Sequence, residues 1–152
     1  MFKLKKIINS NSISPDIIRF DENRTNHIDY GIKPGMAVWL TKDGNICFCQ
    51  HEYRPTHICV GAGENSDGSR YLLCYSITED MIFEAPFITN DGMTSVKLGS
   101  PVYVDTEYSE SGGVQFDPQN SGYNGVLVYK DSLTEYTPFE KVLVRFPNQR
   151  EG

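Results

Sequence analysis

Three cysteines and two histidines crowd one short stretch, Cys47-x-Cys49-x-His51 and then His57-x-Cys59. On a strand, positions 47, 49 and 51 would point to one face. A hairpin turning through residues 52–56 would bring His57 and Cys59 opposite them. Two thiolates and two imidazoles are a donor set for tetrahedral zinc. The stretch lacks the paired C-x-x-C knuckles that usually hold structural zinc, and free cysteine is commonly buried as a small hydrophobe. The five residues are therefore read as core or surface, with no metal and no cofactor expected.

Other chemistry is drawn more easily than supported. A Cys nucleophile with His57 or His51 as base can be sketched, but no nucleophile-elbow pattern or oxyanion-type glycine turn accompanies any cysteine. Gly61-Ala62-Gly63-Glu64-Asn65-Ser66-Asp67-Gly68 lacks the lysine and following helix of a phosphate loop. It offers only Glu64, Asn65 and Asp67 toward calcium, so a plain connecting loop is expected. Acidic neighbours such as Glu79-Asp80, or Asp105 with Glu107, are expected by chance among 20 acids. They would make a glycosidase dyad only if folding set them ~5–9.5 Å apart across a cleft. The chain is expected not to be an enzyme; a zinc-dependent or hydrolytic enzyme stands as an alternative.

The elements that would position these residues follow a repeated phrase. Gly35-Met36-Ala37-Val38-Trp39-Leu40, a turn at Asp43-Gly44, Asn45-Ile46-Cys47-Phe48-Cys49 and Ile58-Cys59-Val60-Gly61 make the first copy. Gly99-Ser100-Pro101-Val102-Tyr103-Val104, a turn at Gly112-Gly113, Val114-Gln115-Phe116 and Gly125-Val126-Leu127-Val128 make the second. Candidate strands fall at 36–40, 45–50, 56–60, 70–77, 81–84, 102–105, 114–116, 124–130 and 140–146. Lys42-Asp43-Gly44-Asn45 signals a hairpin, because glycine accepts positive φ. Sustained helical periodicity is absent; a short helical turn near 132–136 is compatible with the residues there. The reading is an all-β chain, a small β-barrel or sandwich of two related halves.

Residues 1–30 differ in character and are read as an extended N-terminal arm ahead of a β-barrel domain spanning 31–152. Their apolar residues come in clusters, Ile7-Ile8, Ile13, Ile17-Ile18 and Phe20, between polar runs. Such an arm needs another surface for its isoleucines; a first strand tucked onto its own barrel is the alternative, and both readings are open.

Composition fits this architecture. At 152 residues one domain is expected, able to bury roughly 70% of its unfolded surface without metals or disulfides. Nine Tyr, eight Phe, one Trp, 13 Gly and 8 Pro favour a turn-rich β fold. Formal net charge is −6. Residues 1–30 carry five bases against four acids, and the remainder nine against sixteen. An acidic body repels phosphate backbones, so no direct nucleic-acid partner is expected. No run is long and apolar enough for a membrane helix, and residues 1–8 lack the apolar stretch of a secretory signal. Synthesis in a cytosol, with four reduced cysteines, is the expectation.

The order of these phrases resembles the head decoration (auxiliary capsid) proteins of tailed double-stranded DNA bacteriophages. The residues that carry it are Gly35-x-x-Val38-Trp39-Leu40, Cys59-Val60-Gly61, Tyr71-Leu72-Leu73-Cys74-Tyr75-Ser76-Ile77 and Asp80-Met81-Ile82-Phe83-Glu84-Ala85-Pro86. They continue through Lys97-Leu98-Gly99-Ser100-Pro101-Val102-Tyr103-Val104-Asp105 and Gly125-Val126-Leu127-Val128 to Lys141-Val142-Leu143-Val144-Arg145-Phe146. The cysteine-bearing strand at 45–50 has no counterpart in that pattern. The resemblance implies a structural virion protein on the capsid exterior, made in the host cytoplasm. It would bind the major capsid protein as a homo-oligomer, with a trimer favoured, and brace the shell. Phe2, Lys3, Lys5, Lys6, Ile7, Ile8, Ile17, Ile18 and Phe20 are the expected capsid-binding residues. A carbohydrate or host-surface binding module is a further alternative, with Tyr103, Tyr108, Tyr123 and Tyr129 stacking on sugar rings.

Overall fold

The computed structural model describes residues 1–8, 15–24, 27–29, 31–49, 54–86, 101–105, 113–116, 126–128 and 141–146. Among the described residues there is no α-helix. The strands are β1 (Lys3–Ile7), β2 (Ile18–Asp21), β3 (Ala37–Leu40), β4 (Ile46–Phe48), β5 (His57–Glu64) and β6 (Arg70–Ser76). They continue as β7 (Met81–Pro86), β8 (Pro101–Asp105), β9 (Gly113–Phe116), β10 (Val126–Val128) and β11 (Lys141–Arg145). A 3-10 turn at Glu22–Arg24 follows β2.

The all-β expectation holds, as a sandwich of two open sheets rather than a closed barrel. One sheet is ordered β2-β6-β5-β3-β4 and the other β1-β7-β11-β10-β8-β9. The second sheet curls, so that β9 approaches β7 without a ladder between them.

The duplication is written into the topology. Leaving β1 aside, each sheet is five consecutive strands arranged first-fifth-fourth-second-third, with every neighbouring pair antiparallel. The repeated phrase supplies β3, β4 and β5 in one half and β8, β9 and β10 in the other. β1 is added outside the repeat, on the outer edge of β7.

Turn chemistry fixes the tight hairpins. Thr41 N–H donates to the Asn45 carbonyl at 2.9 Å and Gly44 N–H to the Thr41 carbonyl at 3.0 Å, with Gly44 at φ 86°. The β5–β6 hairpin repeats this: Asn65 N–H to the Ser69 carbonyl at 2.7 Å, Gly68 N–H to the Asn65 carbonyl at 3.0 Å, and Gly68 at φ 88°. Both are three-residue loops closed by a left-handed glycine, the G1-bulge form rather than a two-residue primed turn. The expected loop at 61–68 is thereby shortened, because Gly61 to Glu64 belong to β5. Gly63 sits in a strand because the Tyr71 side chain of β6 lies across it, where a Cβ would collide, and at Gly61 a Cβ would press on Leu73 at 3.1 Å. The possible helical turn at 132–136 lies outside the described residues.

Two apolar clusters hold the layers. Ala37 and Val38 are neighbours on β3 yet join different clusters, because alternate residues face opposite sides. The larger cluster lies between the sheets and gathers Phe2, Ile58, Tyr75, Phe83, Val102, Val114, Val144 and Phe146, among others. Its rings interlock: Phe83 meets Phe146 edge-on at 5.4 Å, and Phe2 reaches both from 6.5 and 6.3 Å. The smaller cluster covers the other face of the five-stranded sheet with Val38, Ile46, Cys59, Leu72 and Cys74 under Ile28 and Ile32. Arg70 secures this cap by donating to the Asp29 carbonyl at 2.6 Å, and Phe48 N–H donates to the Asp29 carboxylate at 3.1 Å.

The first thirty residues are not a separate arm where they are described. β1 and β2 are edge strands, one on each sheet, so the tucked alternative is the arrangement found. The physical reason is Phe2, whose ring is 3% exposed and fills the space between the sheets.

Candidate docking surface

The cysteine–histidine stretch does not converge. β3 lies between β4 and β5, which separates Cys47 from His57 and Cys59 by a full strand. Cys49 belongs to the inter-sheet cluster and Cys59 to the opposite face. His57 instead meets the hydroxyls of Thr56 (Nδ1, 2.8 Å) and Ser76 (Nε2, 3.3 Å), with Phe20 edge-on at 5.3 Å. Burial holds its pKa below the ordinary value. Among the described residues no three His, Cys, Asp or Glu side chains gather as metal ligands. His51 lies outside them.

The nine candidate docking residues separate into three groups. Phe2, with Leu4 and Ile7 of β1, faces the inter-sheet core. Lys3, Lys5 and Lys6 point outward and are exposed, Lys5 with its ammonium 3.8 Å from Glu84; Ile8 is half-buried. Ile17 and Ile18 are 51% and 41% exposed at the start of β2, and Phe20 is half-buried against His57. Two exposed apolar residues had no signal in the sequence: Met1, and Val60, which a bulge in β5 displaces outward. They flank a concavity of about 360 Å³ lined also by Pro34, Gly35, Ile58 and Tyr75. Of the tyrosines offered for sugar stacking, Tyr103 is half-buried with its hydroxyl donating to Gln115 at 3.0 Å. Tyr108, Tyr123 and Tyr129 lie outside the described residues.

The sheet edges are managed differently, and this singles out β2. β1 carries three lysines and a bulge at Lys5, both of which obstruct strand addition. The outer side of β4 is bridged by Ile28, which pairs with Ile46. β9 curls toward β7. β2 has no lysine, and among the described residues no strand pairs with its outer side. No family model, curated protein or solved structure matches the chain.

The ladder shows which backbone groups β2 presents. Cys59 spends both its N–H and its C=O on Met36 and Gly35, so its pairing with Cys74 is of the non-hydrogen-bonded kind. Cys74 then turns its polar groups to Ile18, and alternation leaves those of Arg19 facing outward. The Arg19 side chain is drawn back: its guanidinium stacks 3.8 Å from the Tyr71 ring and donates to Asn65 at 2.7 Å. Asn65 in turn donates to Asp21 at 3.0 Å and Ser69 at 2.9 Å, and Asn23 donates to Asp67 at 2.8 Å. The Ser69 hydroxyl and N–H, then the Asn23 amide, hold the exposed Asp67 carboxyl below its usual range. This network braces the C-terminal half of β2 against the β5–β6 hairpin. A shallow groove of about 230 Å³ runs beside it, lined by Arg19, Phe20, Asp21 and Arg24.

Proposed function

We propose that the protein is a non-catalytic structural protein that decorates the exterior of a tailed-phage capsid and stabilises it, with β2 as its docking edge. The observation that carries this reading is the exposed pair Ile17–Ile18 on an edge strand that lacks the lysines guarding β1. An extended segment of the major capsid protein would add to β2, its backbone meeting Arg19 and its apolar side chains meeting the isoleucines. The resemblance of the strand phrases to decoration proteins names the kind of partner. Repetition over a shell, and a homo-oligomer such as a trimer, would convert a modest edge contact into firm retention. A net charge of −6 over the chain supports solubility before docking.

The test is co-sedimentation with undecorated, expanded heads of the phage whose genome carries this sequence. Wild-type protein saturates the heads, and Ile17→Asp/Ile18→Asp, with unchanged circular dichroism, binds at least about tenfold more weakly, the equivalent of 1.4 kcal/mol. Absence of wild-type binding refutes decoration; equal binding by the double variant refutes the edge. Point variants are preferable to truncation here, since removing residues 1–20 would also remove Phe2 from the core.

A further inference from the structure

Cys59 and Cys74 stand directly opposite each other on β5 and β6. Neither forms a disulfide, and both side chains are fully buried, at 0% exposure. Their pairing is non-hydrogen-bonded, as the backbone bonds from Cys59 to Gly35 and Met36 require. Such pairs bring Cα atoms to about 4.5 Å, inside the ~4.4–6.8 Å range that a disulfide spans. We propose that Cys59 and Cys74 are a redox site whose two thiols close into a cross-strand disulfide under mild oxidation, without rearrangement of the sheet. This inference rests on the β5–β6 ladder and does not depend on the docking role.

The local chemistry assigns an order of attack. The Cys59 thiol donates to the Gly61 carbonyl at 3.3 Å, and interaction with the facing Cys74 thiol, with smaller contributions from the Gly61 backbone and the Arg70 charge, holds the Cys59 pKa below its usual value despite burial. The same interaction and burial push the Cys74 thiol up. The thiolate is the attacking species, and Cys59 is assigned the first attack because it, and not Cys74, borders the concavity beside Pro34 and Val60. Cys47 is the more exposed thiol, yet desolvation and the Asp29 charge push its pKa up, which disfavours it as a competitor. Cys59 borders that concavity with its own side chain closed to solvent, so a small oxidant reaches the sulfur through local opening of the sheet there.

The oxidant is a low-molecular-weight disulfide. The Cys59 thiolate attacks one of its sulfurs, forming a mixed disulfide and expelling one thiolate. Cys74 then loses its proton and attacks the Cys59 sulfur, expelling the second. Two protein thiols are oxidised to one disulfide, the external disulfide is reduced to two thiols, and these take up the two protein protons.

The experiment treats the folded, full-length protein with 2-hydroxyethyl disulfide, blocks residual thiols and maps peptides without reduction. The expected product is a Cys59–Cys74 crosslinked peptide. It should persist in Cys47→Ser, vanish in Cys59→Ser, and raise the melting temperature of the wild-type protein reversibly by roughly 5–10 °C. Exclusive modification of Cys47, or a Cys59–Cys74 bridge that forms only in denaturant, would overturn the assignment. Wild-type protein in which both thiols stay blockable after treatment would overturn it equally, and none of these readouts requires any variant to fold.

Discussion

His57 shows how a residue that looks catalytic or metal-binding in one dimension becomes structural in three. Its ring is 9% exposed, between two hydroxyls and the Phe20 edge. Burial favours the neutral ring, so the folded pKa lies below the ordinary value of 6.5. The unfolded chain therefore binds more protons in the window between those values, and stability rises with pH across it. The contribution is complete above pH 6.5 and is lost as pH falls toward the folded value. Urea unfolding at stepped pH should show this loss, and His57→Gln should flatten that part of the profile. An unchanged slope in the variant would assign it to other groups. The cysteine–histidine motif reads in the sequence as core or surface residues, but the hairpin drawn for it there is not the one found. Its spacing implied that β4 and β5 were neighbours, whereas β3 pairs between them.

At the level of elements, legibility followed turn chemistry and alternation. Asp43-Gly44 marked the β3–β4 hairpin because a left-handed glycine closes it. Lys141-Val142-Leu143-Val144-Arg145 alternates and is β11, with Val142 and Val144 buried and Leu143 and Arg145 half-buried. Alternation does not mark β1 and β2, because the isoleucines at their ends fall in adjacent pairs, Ile7-Ile8 and Ile17-Ile18, which breaks the period-two pattern. The second half of β5 reads as loop in the sequence because glycines usually punctuate. Here Gly63 instead gives room to the Tyr71 ring on which Arg19 stacks. Gly63→Val should cost about 1–3 kcal/mol by overpacking and should loosen β2 through the Arg19 stack. Chemical denaturation measures the first and amide exchange in β2 the second; a neutral substitution would show that the Tyr71 ring has room to move.

At the scale of the whole molecule, the strands among the described residues form one five-strand plan used twice, with β1 added outside it. The repeated glycine-strand phrase made this duplication readable, since strand order within each copy follows from the hairpin and the crossover that flank it. The role of residues 1–30 was not readable, because whether an apolar segment docks on its own body or on another depends on a cavity that only the folded sheets create. Phe2 fills such a cavity, while Ile17 and Ile18 stay outside. That contrast moves the candidate docking surface from a free arm to the β2 edge. Hydrogen–deuterium exchange of the protein, free and bound to undecorated heads, tests the assignment most directly. Strand addition predicts that the Arg19 amide becomes protected on binding while the guarded edge at β1 is unchanged. Protection confined to β1 or other surfaces, with Arg19 exchanging as in the free protein, would contradict it.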